Sequence, residues 1–88
     1  MESKVIMEND RVHVVDILFK PNDKAPTHSH PDHMVYVLKG GKLKLTTSGK
    51  ADTYDLNAGQ AMFFKAVSHE VENIGKTDVE LLVVELKK

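Results

Sequence analysis

The sequence predicts an all-β fold, a small sandwich or barrel. Short runs rich in Val, Ile, Leu, Phe and Tyr recur along the chain, each closed by Gly, Pro, Asn, Asp or Ser. Inside these runs apolar and polar residues alternate, as in Lys42-Leu43-Lys44-Leu45-Thr46. No window sustains a helical period, so no helix of consequence is expected.

The elements follow in order. Lys4 to Met7 suits a short strand, and Glu8-Asn9-Asp10 a turn. Arg11 to Lys20 is a long strand rich in β-branched residues. Pro21-Asn22-Asp23-Lys24 turns, because Pro presets φ while Asn and Asp bond their own backbone. Thr27 to His30 is a brief strand, broken by Pro31-Asp32, and His33 to Lys39 is the next, closed by Gly40-Gly41. Lys42 to Thr47 sends Leu43 and Leu45 inward and its lysines outward. Ser48-Gly49-Lys50 turns, Thr53 to Leu56 returns, and Asn57-Ala58-Gly59 turns again. Gln60 to Lys65, Ser68 to Asn73 and Val79 to Leu86 complete the strands, with Ile74-Gly75-Lys76-Thr77 as the last turn.

Size and charge narrow the function classes. Eighty-eight residues form one domain, residues 1–88, too small for a large core without help from an oligomer or a metal. A formal charge of -1 gives no footprint for nucleic acid or an anionic membrane surface. With no cysteine, disulfides, thiolate ligands and a Cys nucleophile are excluded. Met1-Glu2-Ser3-Lys4 lacks the apolar core of a signal peptide, so the expected location is cytoplasmic. Two strands are apolar on both faces: Val12, Val14 and Leu18 oppose Val15, Ile17 and Phe19, and Val79, Leu81 and Val83 oppose Leu82, Val84 and Leu86. A sheet with a solvated outer face reads apolar on one side only, so a homodimer through these strands is expected.

Three of the five histidines fall within six positions, in Thr27-His28-Ser29-His30-Pro31-Asp32-His33. Alternation puts His28 and His30 on one face, an arrangement that suggests a metal. The stretch from Pro26 through His28 and His30 to Gly40 resembles the first motif of the cupin superfamily, a His-x-His followed by a glutamate and a glycine. Gly59, the strand Gln60 to Phe64, His69 and Asn73 resemble the second. The resemblance runs from about Arg11 to Leu86. The opening Glu-Asn-Asp-Arg-Val-His-Val, with His-Pro and Val-Tyr-Val-Leu further on, is similar to small single-domain bacterial cupins. It implies a double-stranded β-helix, the jelly-roll barrel, and a divalent ion such as zinc, iron, nickel or manganese.

The departures shape the site. Counted back from Gly40, the glutamate place of the motif is His33; counted from Gly41 it is Met34, a poor ligand for a hard ion. His33 is preferred, because it shares a face with Val35 and Val37, expected to point inward, while Met34 goes with Tyr36 and Leu38. Lys65 and Val67 stand where the second motif has proline and glycine, and Lys24 where many relatives have the first glycine. The implied ligand set is His28, His30, His33 and His69, four neutral imidazoles that leave an ion its full charge. His13, in an apolar strand, is left out; Asn73 is expected to hold a turn. Val35, Val37, Leu43, Leu45, Met62, Phe64 and Val71 are expected to line the cavity, with Tyr54 and Gln60 the only polar candidates.

That apolar lining offers no clear general acid or base. The leading expectation is therefore metal-centred chemistry, such as dioxygenase-type cleavage of a small metabolite. Two alternatives stay open: a small-ligand or metal binding and sensing module without turnover, and a closed structural zinc site. Oxygen uptake, ligand-dependent stabilisation without product, and loss of stability on chelation separate the three.

Overall fold

The computed structural model describes residues 1–87, all of whose regular structure is β. In chain order the strands are β1 Glu2–Glu8, β2 Val12–Phe19, β3 Lys24–His30, β4 His33–Lys39, β5 Gly41–Thr47, β6 Lys50–Leu56, β7 Ala61–Phe64, β8 Val67–Asn73 and β9 Val79–Leu86. They make two antiparallel sheets, of order β1-β2-β9-β4-β7 and β3-β8-β5-β6. The inner faces enclose Phe19, Ala25, Val35, Val37, Leu43, Leu56, Val71, Val79, Leu81 and Val83. This is the jelly-roll expected from the sequence.

Local chemistry explains the turns. Asn9 Oδ1 accepts from the Arg11 and Val12 amides at 2.7 and 2.9 Å, and Asp23 Oδ2 from the Lys20 amide at 2.9 Å. Ser48 and Gly49 both have positive φ, 50° and 78°, the backbone of a two-residue hairpin turn matched to strand twist. Lys50 therefore already pairs with Thr47, and β6 begins three residues before the expected Thr53. β1 also outgrows its apolar stretch, because its ladder with β2 runs from Glu2–Leu18 to Glu8–His13.

One face of the five-stranded sheet points away from the core. Register aligns Met7, Val14, Val84, Met34 and Phe63 across all five strands on that face. Met34 and Phe63 are exposed there, and β1 is exposed along its whole length.

Candidate metal centre

The site is built where the two sheets meet at one end of the barrel. β3 and β8 place His28 directly opposite His69, with ring centroids 4.9 Å apart. A break in the β3–β8 register between Ala25 and His28 makes this possible. Pro26 has no amide to give the ladder, and the extra residue lets Ala25 and His28, three apart, both face inward. His30 follows on the same face, its ring 4.5 Å from His28 and 5.1 Å from His69. The ligating nitrogens of His28, His30 and His69 all lie within 4.8 Å of one another.

His33 reaches the site from the other sheet, at the start of β4. Its ring lies 4.8 Å from His30 and 6.4 Å from His69, and stacks on Phe64 at 5.5 Å. It is only 2% exposed. It thus flanks the three-nitrogen group rather than belonging to it. Met34 points to the opposite face.

Hydrogen bonds orient the rings. His28 Nδ1 donates to the Pro26 carbonyl at 2.7 Å, and His33 Nδ1 to the Pro31 carbonyl at 2.8 Å. A carbonyl only accepts, so in both rings Nε2 is the nitrogen with a free lone pair. His30 Nδ1 bonds Glu85 Oε2, on β9. Burial, reinforced by the charges of His28, His30 and His33, pushes His69 down to about 4. His30 is also lowered, burial outweighing the opposing bond to Glu85, so this contact is a neutral imidazole donating to a carboxylate.

The residues fit a divalent ion. Metal ligation needs neutral imidazoles, and burial favours the neutral form at His30 and His69. A tetrahedral ion about 2.1 Å from each nitrogen needs nitrogens about 3.4 Å apart, within small side-chain rotations of the observed spread.

The imidazoles cap a cavity of about 540 Å³, counting its open mouth. Val35, Leu43, Leu45, Met62, Phe64 and Val71 line it, as do Ile17, Phe19, Leu81 and Val83 from β2 and β9. Val37 is fully buried in the core and does not face the cavity. Tyr54 is on the wall; Gln60 is instead in a turn, where its Oε1 accepts from the Asn57 amide at 3.1 Å. Beyond His69, Tyr54 and Phe64 lies a second opening, bordered by Thr47, Asp52 and Lys65. His13 lies 3.4 Å from a Glu8 carboxylate oxygen and is not in the three-nitrogen group. Asn73 bridges the Phe19 and Thr77 carbonyls and the Gly75 amide.

Glu85 is the residue the sequence reading passed over. The inner face of β9 runs Val79, Leu81, Val83, Glu85, so the carboxylate interrupts an apolar series. The ligand set has no carboxylate of its own, yet one negative group touches His30.

Solved structures share the fold. A cupin domain from Bordetella pertussis Tohama I is 28% identical, with a TM-score of 0.92 over 99% of this chain and 93% of that one. A predicted oxalate decarboxylase from Thermotoga maritima is 23% identical (TM-score 0.74, over 98% of this chain and 79% of that one). The polyketide cyclase RemF from Streptomyces resistomycificus is 22% identical (TM-score 0.73, over 98% and 64%). The last two likenesses carry the fold alone. No curated protein matches the chain. Residues 15–85 match the family model described as "Cupin domain", and the chain belongs to that family.

Proposed function

We propose that the chain is a metal-binding cupin in which His28, His30 and His69 hold a divalent ion, with His33 as the adjacent fourth imidazole, at the cap of an apolar cavity that admits a small chelating molecule. The convergence of three ring nitrogens within 4.8 Å carries this reading. A bound ion supplies Lewis acidity and, if it is iron, oxygen chemistry of the dioxygenase type. The protein's own part is to fix the imidazole tautomers, exclude water with Val35, Leu43, Met62 and Phe64, and orient a ligand through the open side near Tyr54. No carboxylate lines the cavity among the described residues, which favours metal-centred over acid-base chemistry.

Metal analysis of untagged protein tests this. Wild type should carry close to one equivalent of ion, and His28→Ala and His69→Ala should lose it. His33→Ala retaining metal defines a three-imidazole site; its losing metal defines a four-imidazole one. Full metal in His28→Ala and His69→Ala would overturn the reading. Oxygen uptake by iron-loaded protein with small chelating anions separates an enzyme from a module that gains stability from ligand without turnover. A closed structural zinc site would instead admit no exchangeable ligand.

We also propose that the protein works as a homodimer through the outer face of the five-stranded sheet. β1 is a paired strand on one edge only, and its Val5, Ile6 and Met7 are exposed. An apolar edge continuous with an apolar outer face is an aggregation hazard unless covered, and a second copy offers the same patch in return.

A further inference from the structure

We propose that Glu85 is the positioning residue of the metal centre, holding the His30 proton on Nδ1 so that Nε2 faces the ion. This rests on the metal-site reading above. His30 and Glu85 lie 55 residues apart and belong to different sheets, so their bond joins the sheets at the rim of the site. Their side chains are 14% and 20% exposed. A surface pair between mobile side chains has little reason for such cover, and it contributes little. Here the carboxylate interrupts the apolar inner face of β9, next to the register partners His13 and His33, and bonds Nδ1 of His30, which leaves Nε2 as the nitrogen available to an ion.

The three anchored rings of the site differ in kind. His28 and His33 are held by carbonyls two residues back, contacts made within their own stretch of chain. His30 alone is anchored by a distant side chain, and that side chain carries a full charge. A carboxylate on the far nitrogen of a ligating histidine fixes its tautomer and raises its basicity, and losing such a partner weakens metal binding about 10–100-fold. Glu85 also returns one unit of negative charge to a set of neutral imidazoles, without occupying a coordination position.

The test compares wild type, Glu85→Gln and Glu85→Ala, using zinc as the probe. Zinc affinity is measured by chelator competition, and the His30 tautomer by nitrogen NMR of metal-free, histidine-labelled protein. Glu85→Ala should bind zinc about 10–100-fold more weakly and show His30 as a mixture of tautomers. Glu85→Gln, which nearly preserves shape and keeps an acceptor, should hold the Nδ1–H tautomer and fall between the two in affinity. A variant that merely loosened the rim would melt earlier with its His30 tautomer unchanged, which overturns the proposal. So does zinc affinity in Glu85→Ala equal to wild type. Wild type that binds no zinc or other divalent ion overturns this inference together with the metal-site reading, whereas wild type and Glu85→Ala binding equally well overturns this inference alone.

Discussion

His69 shows what burial does to a single side chain. Its imidazole takes a proton at about 4 in the folded protein, against an ordinary 6.5. The unfolded chain therefore binds that proton more readily. Its contribution to stability is fully present above pH 6.5 and is lost as the pH falls toward 4. Metal-free protein, held in chelator, should show a denaturant midpoint that drops across this window, and His69→Gln should flatten the slope. Asn73 presents the opposite economy. It is fully buried, and its amide gives hydrogens to Phe19 and Thr77 and takes one from Gly75. Asn73→Ala strands the buried Phe19 carbonyl and removes the bonds to the Thr77 carbonyl and the Gly75 amide, so urea unfolding should show a loss of about 1–3 kcal/mol. A change within about 0.5 kcal/mol would mean that water replaces the amide at no cost. The turn-holding role of Asn73 was legible from its place at a strand end. The carboxylate on His30 was not: both faces of β9 are apolar, so Glu85 stands out only once the register shows which face is inward.

Strand by strand, strong side-chain alternation marks the elements in the sequence, and a backbone irregularity hides them where it resets that alternation. β4 and β9 match expectation from His33 to Lys39 and from Val79 to Leu86. β3 starts at Lys24 rather than Thr27, because a proline concealed a strand that continues through a bulge. The bulge is also why His28 meets His69, a consequence no local pattern announces. The β4–β5 hairpin is tighter than its Gly-Gly pair alone suggests. A Cβ on Gly40 would strike the Leu56 carbonyl oxygen and crowd Ala58 N and Asn57 Cα, each at 3.2 Å. These are backbone atoms, which cannot swing aside. Gly40→Ala should therefore cost about 1–3 kcal/mol in chemical denaturation. Gly49→Ala meets nothing within 4 Å, and any cost there comes from its positive φ of 78°. If the two variants unfold alike, close packing at Gly40 is not what requires glycine.

For the whole molecule, the two-sheet enclosure was legible from composition and rhythm. Pairing order was not, because alternation tells which way a side chain points but not which strand lies beside it. The outer face carries the remaining prediction. Light scattering at micromolar concentration should return twice the 9.8 kDa chain mass, and Met34→Glu with Phe63→Glu should return a single chain. A wild-type monomer mass would remove the dimer. Among the described residues no helix is long and apolar enough to cross a membrane.

The place of β9 has a temporal meaning as well. It is the last strand of the domain, yet it lies in the middle of its sheet, between β2 and β4. Until those residues have left the ribosome, β2 and β4 have no partner to bridge them, and β2 can pair only with β1. One wall of the cavity is open until then, and His30 lacks its carboxylate. A nascent chain can gather its histidines once β8 has emerged, but it cannot hold them as a finished site until β9 is threaded in.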